Sequence, residues 1–210
     1  MKITKFGQCC LLIETKDKRI LTDPGSYSID AHSKLENLDY ILFTHEHQDH
    51  FHLESLKIVI QKNPQAIIYC NTSVSGILDG EKIDHICVKH GDSIVMGEIV
   101  LVGIGEKHAQ IHPSIPQSEN TGFFIDGRLW YPGDSFTNPE RPIEILALPV
   151  TGPWLTIGQS VDYALALKPK VAFPVHDFKR SGLDQTIPAK LLPPAGIEFV
   201  PMIEGDTKEF

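Results

Sequence analysis

A chain of 210 residues with 41% hydrophobic and 22% charged content is long enough for one compact domain with a sizeable core, and 1–210 reads as a single domain. With 19 basic against 27 acidic residues the formal net charge is −8, opposite in sign to a protein whose main work is tracking a nucleic-acid backbone. No apolar run approaches the length of a membrane span, and Met1-Lys2-Ile3-Thr4-Lys5 leads into an alternating pattern, not a signal-peptide segment, so a cytoplasmic protein is expected.

Residues 3–6, 10–14 and 19–22 read as antiparallel ribbons at a sheet edge, ending at Asp23-Pro24-Gly25. A polar loop over 26–37 leads to the short apolar run Tyr40-Ile41-Leu42-Phe43, typical of a buried strand. Helical periodicity over 53–62 stops before Pro64, strand-like 66–70 follows, and a short helix is expected over 72–78. Short strands at 86–88, 93–96 and 99–104 are punctuated by Gly91 and Gly97, and 121–125 pairs with 129–131 across Asp126-Gly127. Two further buried strands, 145–150 and 171–175, flank a helix over 157–167 closed by Pro169, and 197–200 reads as the last strand. Strands at close spacing with helices between them fit an α/β (α+β) fold of two packed sheets covered by helices, a four-layer αββα arrangement. Cys9, Cys10, Cys70 and Cys87 have neither zinc-ribbon nor redox spacing and read as reduced, mostly buried thiols.

The informative segment is Thr44-His45-Glu46-His47-Gln48-Asp49-His50, where imidazoles and a carboxylate crowd the end of a buried strand. Imidazole nitrogen and carboxylate oxygen suit a divalent metal of intermediate softness, and one loop cannot easily wrap all of them around a single ion. Two neighbouring metals resolve the crowding, with His45 and His47 at one and Asp49 and His50, past the turn, at the other. The segment is internal and directly follows a buried strand, unlike a solvated or tag-like histidine tract.

His45-x-His47-x-Asp49-His50 resembles the metal-binding signature of the metallo-β-lactamase superfamily. The resemblance implies a third histidine for the first metal, a bridging aspartate and a last histidine for the second, each at a strand end. His108 after 99–104, Asp134 in Gly133-Asp134-Ser135 and His176 after 171–175 stand at those places, so the resemblance covers nearly the whole chain. A Gly-His-Thr loop is absent, and Gly105-Glu106-Lys107-His108-Ala109, Asp23-Pro24 and Phe173-Pro174-Val175-His176 look like the compact branch containing ascorbate-phosphate lactonases. The chain lacks room for the added domains of the RNA-cleaving members.

His112 competes with His108 as ligand but lies further into a loop with Pro113 and Pro116, and a strand end fixes a ligand better. As substrate-facing residues the sequence offers His112, Trp154, Lys179 and Arg180. Asp23 is placed to hydrogen-bond a ligand histidine, although an Asp-Pro-Gly turn forms without any such role. His32, His52, His85 and His90 lack partners at ligand spacing and read as surface or satisfied core positions.

The expected function is that of a metal-dependent hydrolase with two divalent ions, zinc first and manganese or iron next. Two ions about 3.5 Å apart, bridged by Asp134 and a water, would supply hydroxide near neutral pH, with Asp49 orienting it. The expected substrate is a small anionic ester, lactone or phosphodiester, not structured nucleic acid and not a membrane. Alternatives are a non-enzymatic metal-binding or sensing module, a nuclease, or a di-iron redox protein, the last normally accompanied by a flavin-binding partner domain. The oligomeric state stays open, a homo-oligomer included.

Overall fold

The computed structural model describes residues 1–177 and 183–210. The chain divides into two compact units, residues 1–89 with 204–210, and residues 90–203. Among the described residues each unit carries one seven-stranded mixed sheet.

The first unit opens with a meander of β1 (Lys2–Lys5), β2 (Leu11–Thr15) and β3 (Lys18–Thr22), all antiparallel. A short helix α1 (Ile29–His32) follows, then β4 (Tyr40–Phe43), α2 (Leu53–Lys62), β5 (Ile67–Cys70), α3 (Thr72–Glu81) and β6 (Ile86–Cys87). From β3 to β6 every pairing is parallel. All four residues of β4 are buried, as a central parallel strand requires, which is why its sequence is a continuous apolar run. Leu21, Ile41, Phe43, Leu56, Val59 and Ile68 form this unit's core.

The second unit repeats the plan. A meander of β7 (Ser93–Met96), β8 (Ile99–Ile104), β9 (Gly122–Ile125) and β10 (Leu129–Tyr131) is antiparallel throughout. Then β11 (Ile145–Pro149), α4 (Ile157–Leu167), β12 (Val171–Val175), α5 (Leu183–Leu191) and β13 (Glu198–Phe199) extend the sheet in parallel from β10. The β9–β10 turn places Asp126 at φ 54 and Gly127 at φ 66, the paired positive angles of a type I′ turn, inside a three-residue loop because Ile125 pairs with Leu129. Thr156 and Gln159 close a capping box at the start of α4, and Lys168, left-handed at φ 51, ends it before Pro169. The core gathers around Trp130, Leu146, Leu148 and Val161. A last strand, β14 (Thr207–Glu209), returns to the first sheet and pairs antiparallel with β1.

Several elements differ from the sequence expectation. The polar loop at 26–37 contains α1, and α3 runs on to Glu81 because Lys82, left-handed at φ 57, is its stop. The strand at 198–199 is not the last: β14 is exposed at every position, so Thr-Lys-Glu shows no burial pattern to read. Helix α5 carries Pro188, which in sequence reads as a breaker. Burial pushes the Cys10 and Cys70 thiols up to about 12, so both stay protonated. No helix of the described residues is long and apolar enough to cross a membrane.

Candidate metal centre

In the first unit the chemistry sits just past β4. Thr44 is tied to Asp23, its N–H donating to Oδ1 at 2.8 Å and its hydroxyl to Oδ2 at 2.7 Å. The same Oδ2 lies 2.8 Å from His50 Nδ1. A carboxylate accepts, so His50 carries its proton on Nδ1 and presents Nε2 as its lone-pair nitrogen. His45 Nδ1 stands 3.0 Å from the Thr44 hydroxyl oxygen. That hydroxyl already donates to Asp23, so His45 Nδ1–H is the donor there and its Nε2 is likewise the ligand atom. Asp23 thus sets the tautomer of two histidines at once, from a backbone held at φ 39.

The rings gather closely: His45 lies 4.1 Å from His50 and 4.6 Å from His47, centroid to centroid. Ligand atoms of His45 and His47 come within 4.8 Å of each other, as do those of Asp49 and His50. Backbone bonds from His50 and Phe51 to the His47 carbonyl, at 2.9 and 2.8 Å, make the tight turn that redirects Asp49 and His50.

In the second unit His108, from the loop after β8, and His176, just past β12, meet at Asp134. His108 Nε2 and His176 Nε2 lie 3.3 and 3.0 Å from Asp134 Oδ2, all three side chains being buried. His108 Nδ1 is 2.6 Å from the Ala109 carbonyl, which can only accept, so Nδ1 holds the proton and the Nε2 lone pair faces a carboxylate oxygen. Two such groups repel unless a cation or a second proton lies between them, and a divalent ion relieves the repulsion in the way imidazole and carboxylate ligands do. The Asp134 backbone is pinned on both sides, its N–H donating to Asn120 Oδ1 at 3.0 Å and its carbonyl accepting from Ala109 N–H at 2.8 Å. In the same unit the buried Tyr163, its phenol pushed well above the usual range by burial, accepts from Trp130 Nε1 at 2.8 Å and donates to the Thr137 carbonyl at 2.6 Å. His176 itself sits at φ 57, a left-handed conformation a non-glycine residue adopts only where the surroundings impose it.

His112 is exposed, and its Nδ1 accepts from Ser114 N–H at 3.1 Å to close a local turn. Trp154 is buried, with its indole N–H donating to Asp134 Oδ2 at 2.8 Å. Lys179 and Arg180 lie outside the described residues. His52 caps α2, His85 meets the Ser75 hydroxyl at 2.7 Å, and His90 accepts from Gly105 N–H at 3.1 Å. His32 is buried, and burial pushes it down to about 4.

Three residues beside these side chains, two in the first unit and one in the second, carried no sequence signal. Asn120 positions Asp134, Gln8 donates to Asp49 Oδ2 at 2.7 Å, and Cys9 Sγ comes within 4.8 Å of a His50 ligand nitrogen. All three belong to loops, where no periodicity marks which side chain turns inward.

His108→Ala is expected to lower the metal retained per chain and His112→Ala to leave it unchanged, as read by elemental analysis after exhaustive dialysis. The reverse pattern would transfer the ligand role to His112.

A family model described as a β-lactamase superfamily domain matches residues 2–176. The chain belongs to the β-lactamase superfamily. A curated relative, Protein Rv0786c of Mycobacterium tuberculosis, is 35% identical over 181 residues, covering 84% of each chain. Another, a UPF0173 metal-dependent hydrolase of Listeria monocytogenes, is 30% identical over 205 residues, covering 84% of this chain and 85% of its own. Among solved structures, the metallo hydrolase Igni18 of Ignicoccus hospitalis superposes with a TM-score of 0.79 at 20% identity, covering 100% of this chain and 98% of its own. The superfamily protein therefore has the metallo-β-lactamase fold.

Proposed function

We propose that this β-lactamase superfamily protein is a dinuclear metal-dependent hydrolase of small anionic esters, lactones or phosphodiesters, with zinc as the resident ion. His45, His47 and His108 would hold one ion, Asp49, His50 and His176 the other, and Asp134 would serve both. The observation that carries the reading is the tautomer set: Asp23, Thr44 and the Ala109 carbonyl turn the Nε2 lone pairs of His50, His45 and His108 outward as ligand atoms. A surface histidine tract has no such arrangement behind it. Relatives named metal-dependent hydrolases support the metal-dependent hydrolase part of this reading.

Two bound divalent ions would supply Lewis acidity and a low-pKa water, so the protein need offer no nucleophile of its own. The chain's part is orientation: Asp23 and Thr44 hold the histidines, while Asn120 and Ala109 hold Asp134. Asp49, an acceptor beside His50, is the group to orient an attacking water. Substrate charge follows from scale. The net charge of −8 disfavours an extended polyanion, whereas a few cations near the ligands in sequence, Lys107, Lys179 and Arg180, suffice for one carboxylate or phosphate.

Protein purified without chelator is expected to hold close to two ions per chain and to hydrolyse a member of a panel of small phosphorylated and carboxylated esters and lactones. Metal retention with no turnover across the panel would favour a sensing module. Salt-sensitive cleavage of RNA or DNA with no small-ester turnover would favour a nuclease, since backbone tracking draws on roughly 6–10 phosphate contacts.

A further inference from the structure

Each of the two carboxylates assigned as ligands receives a short hydrogen bond from a buried, uncharged donor that is not itself a ligand. In the first unit Gln8 Nε2 donates to Asp49 Oδ2 at 2.7 Å, with Gln8 only 3% exposed. In the second, Trp154 Nε1 donates to Asp134 Oδ2 at 2.8 Å, with Trp154 6% exposed. We infer that Gln8 and Trp154 are further positioning residues of the metal centre, each fixing the carboxylate of one acidic ligand without neutralising it. The inference rests on the dinuclear reading above.

Three further observations support it. Gln8 is held at φ 50, a left-handed angle disfavoured for a residue with a side chain, and this conformation belongs to the loop that delivers its amide to Asp49. Trp154 is seated edge-on against both histidines beside Asp134, 5.6 Å from His108 and 5.8 Å from His176, so the indole packs on the ligands as well as bonding the carboxylate. Its approach depends on Gly152, where a Cβ would fall 2.9 Å from the indole nitrogen and 3.3 Å from His176 Cε1.

Topology adds a third line. The two sheets have the same order and strand senses, with β1 in the place of β8 and β4 in the place of β11. The loop after β8 carries His108, whereas its counterpart after β1 carries Gln8. Similarly, the loop after β4 carries His45 to His50, and its counterpart after β11 carries Trp154. Each unit therefore uses for an N–H donor the loop that supplies metal ligands in the other unit.

Neutrality is the chemical point. An arginine or lysine at either place would orient the carboxylate but offset the negative charge that attracts a divalent ion. An amide or indole N–H occupies one of the several acceptor positions of the carboxylate and leaves its full charge for the metal. Tryptophan, a donor only, cannot turn round and compete as a ligand.

The test uses zinc titrated into the chelator-treated full chain against a chromophoric competitor, with Gln8→Met, Gln8→Glu and Trp154→Phe beside the parent. Gln8→Met is expected to weaken one binding step by about 10–100-fold and spare the other, because Asp49 serves one ion. Gln8→Glu also removes the N–H donor while adding a charge that attracts the ion, so it should not reproduce the parent's binding at that step. Trp154→Phe keeps the aromatic packing but should weaken both steps, because Asp134 is shared. Metal-free melting temperatures unchanged in Gln8→Met and Trp154→Phe separate positioning from a structural role. Parent tryptophan emission should respond to zinc, and the response should vanish in Trp154→Phe, where Trp130 remains. Should Trp154→Phe fail to fold, the parent's emission and the Gln8 variants decide. Parent-like zinc affinity in both Gln8 variants would overturn the inference while leaving the dinuclear reading standing; a parent that binds no zinc would overturn both.

Discussion

Asp134→Ala is expected to keep its fold, retain less than two ions per chain and lose hydrolytic activity by at least about 100-fold. Removal of groups that merely support metal ligands already costs roughly 10–100-fold, and Asp134 is proposed to touch both ions. The fold should survive because the Asp134 backbone, not its side chain, carries the bonds to Asn120 and Ala109, and neither depends on the carboxylate. Asp134→Asn is the sharper variant: it retains an acceptor for the Trp154 N–H and nearly the same volume, but not the charge. It should melt with the metal-free parent and still fail to hold the full metal complement. Turnover at the parent rate in either variant, measured on a substrate from the ester and lactone panel, would remove Asp134 from the mechanism.

The parts of this molecule legible in the sequence are those where burial imposes a pattern. The apolar run of β4 and the helical periods of α2 and α4 coincide with the observed elements because both faces of the strand, and one face of each helix, meet a core. The ligand candidates were legible for a different reason, since imidazole and carboxylate crowding at a strand end has few other uses. Trp154 shows the limit. Its position after β11 was readable, but whether the indole faced substrate or held Asp134 depended on Gly152 admitting the ring and on the hydrogen bond beyond it. Gln8 was less accessible still: glutamine in a polar loop is ordinary, and only the left-handed backbone turns its amide inward. The strand β14 left no trace because it pairs at an edge with all its side chains in solvent.

Gly25→Ala is expected to be the most damaging single-methyl change in the first unit, and its cost should fall on the metal site. A Cβ at Gly25 would collide with the carbonyl group of Asp49 and come within 2.5 Å of His50 N, all backbone atoms that cannot swing aside as a side chain can. One bond ties these segments together, Ser26 N–H donating to the Gln48 carbonyl at 2.7 Å, while Gly25 N–H donates to the Asp23 carbonyl at 2.8 Å within the turn itself. The glycine of Asp23-Pro24-Gly25 is therefore required by contact with the ligand loop and not only by the turn. Overpacking of this kind typically costs about 1–3 kcal/mol, occasionally more, and backbone against backbone belongs at the upper end. For a chain of this size about 3 kcal/mol corresponds to a fall of roughly 6–12 °C in Tm. Displacement of the Asp49–His50 peptide should also abolish one zinc-binding step. Gly76→Ala is the matched control, because a Cβ there meets nothing within 4 Å and α3 should gain about 0.5–1 kcal/mol from the better helix former. If Gly25→Ala melted with the parent and bound two ions, the Asp23–Gly25 turn would have no part in shaping the centre.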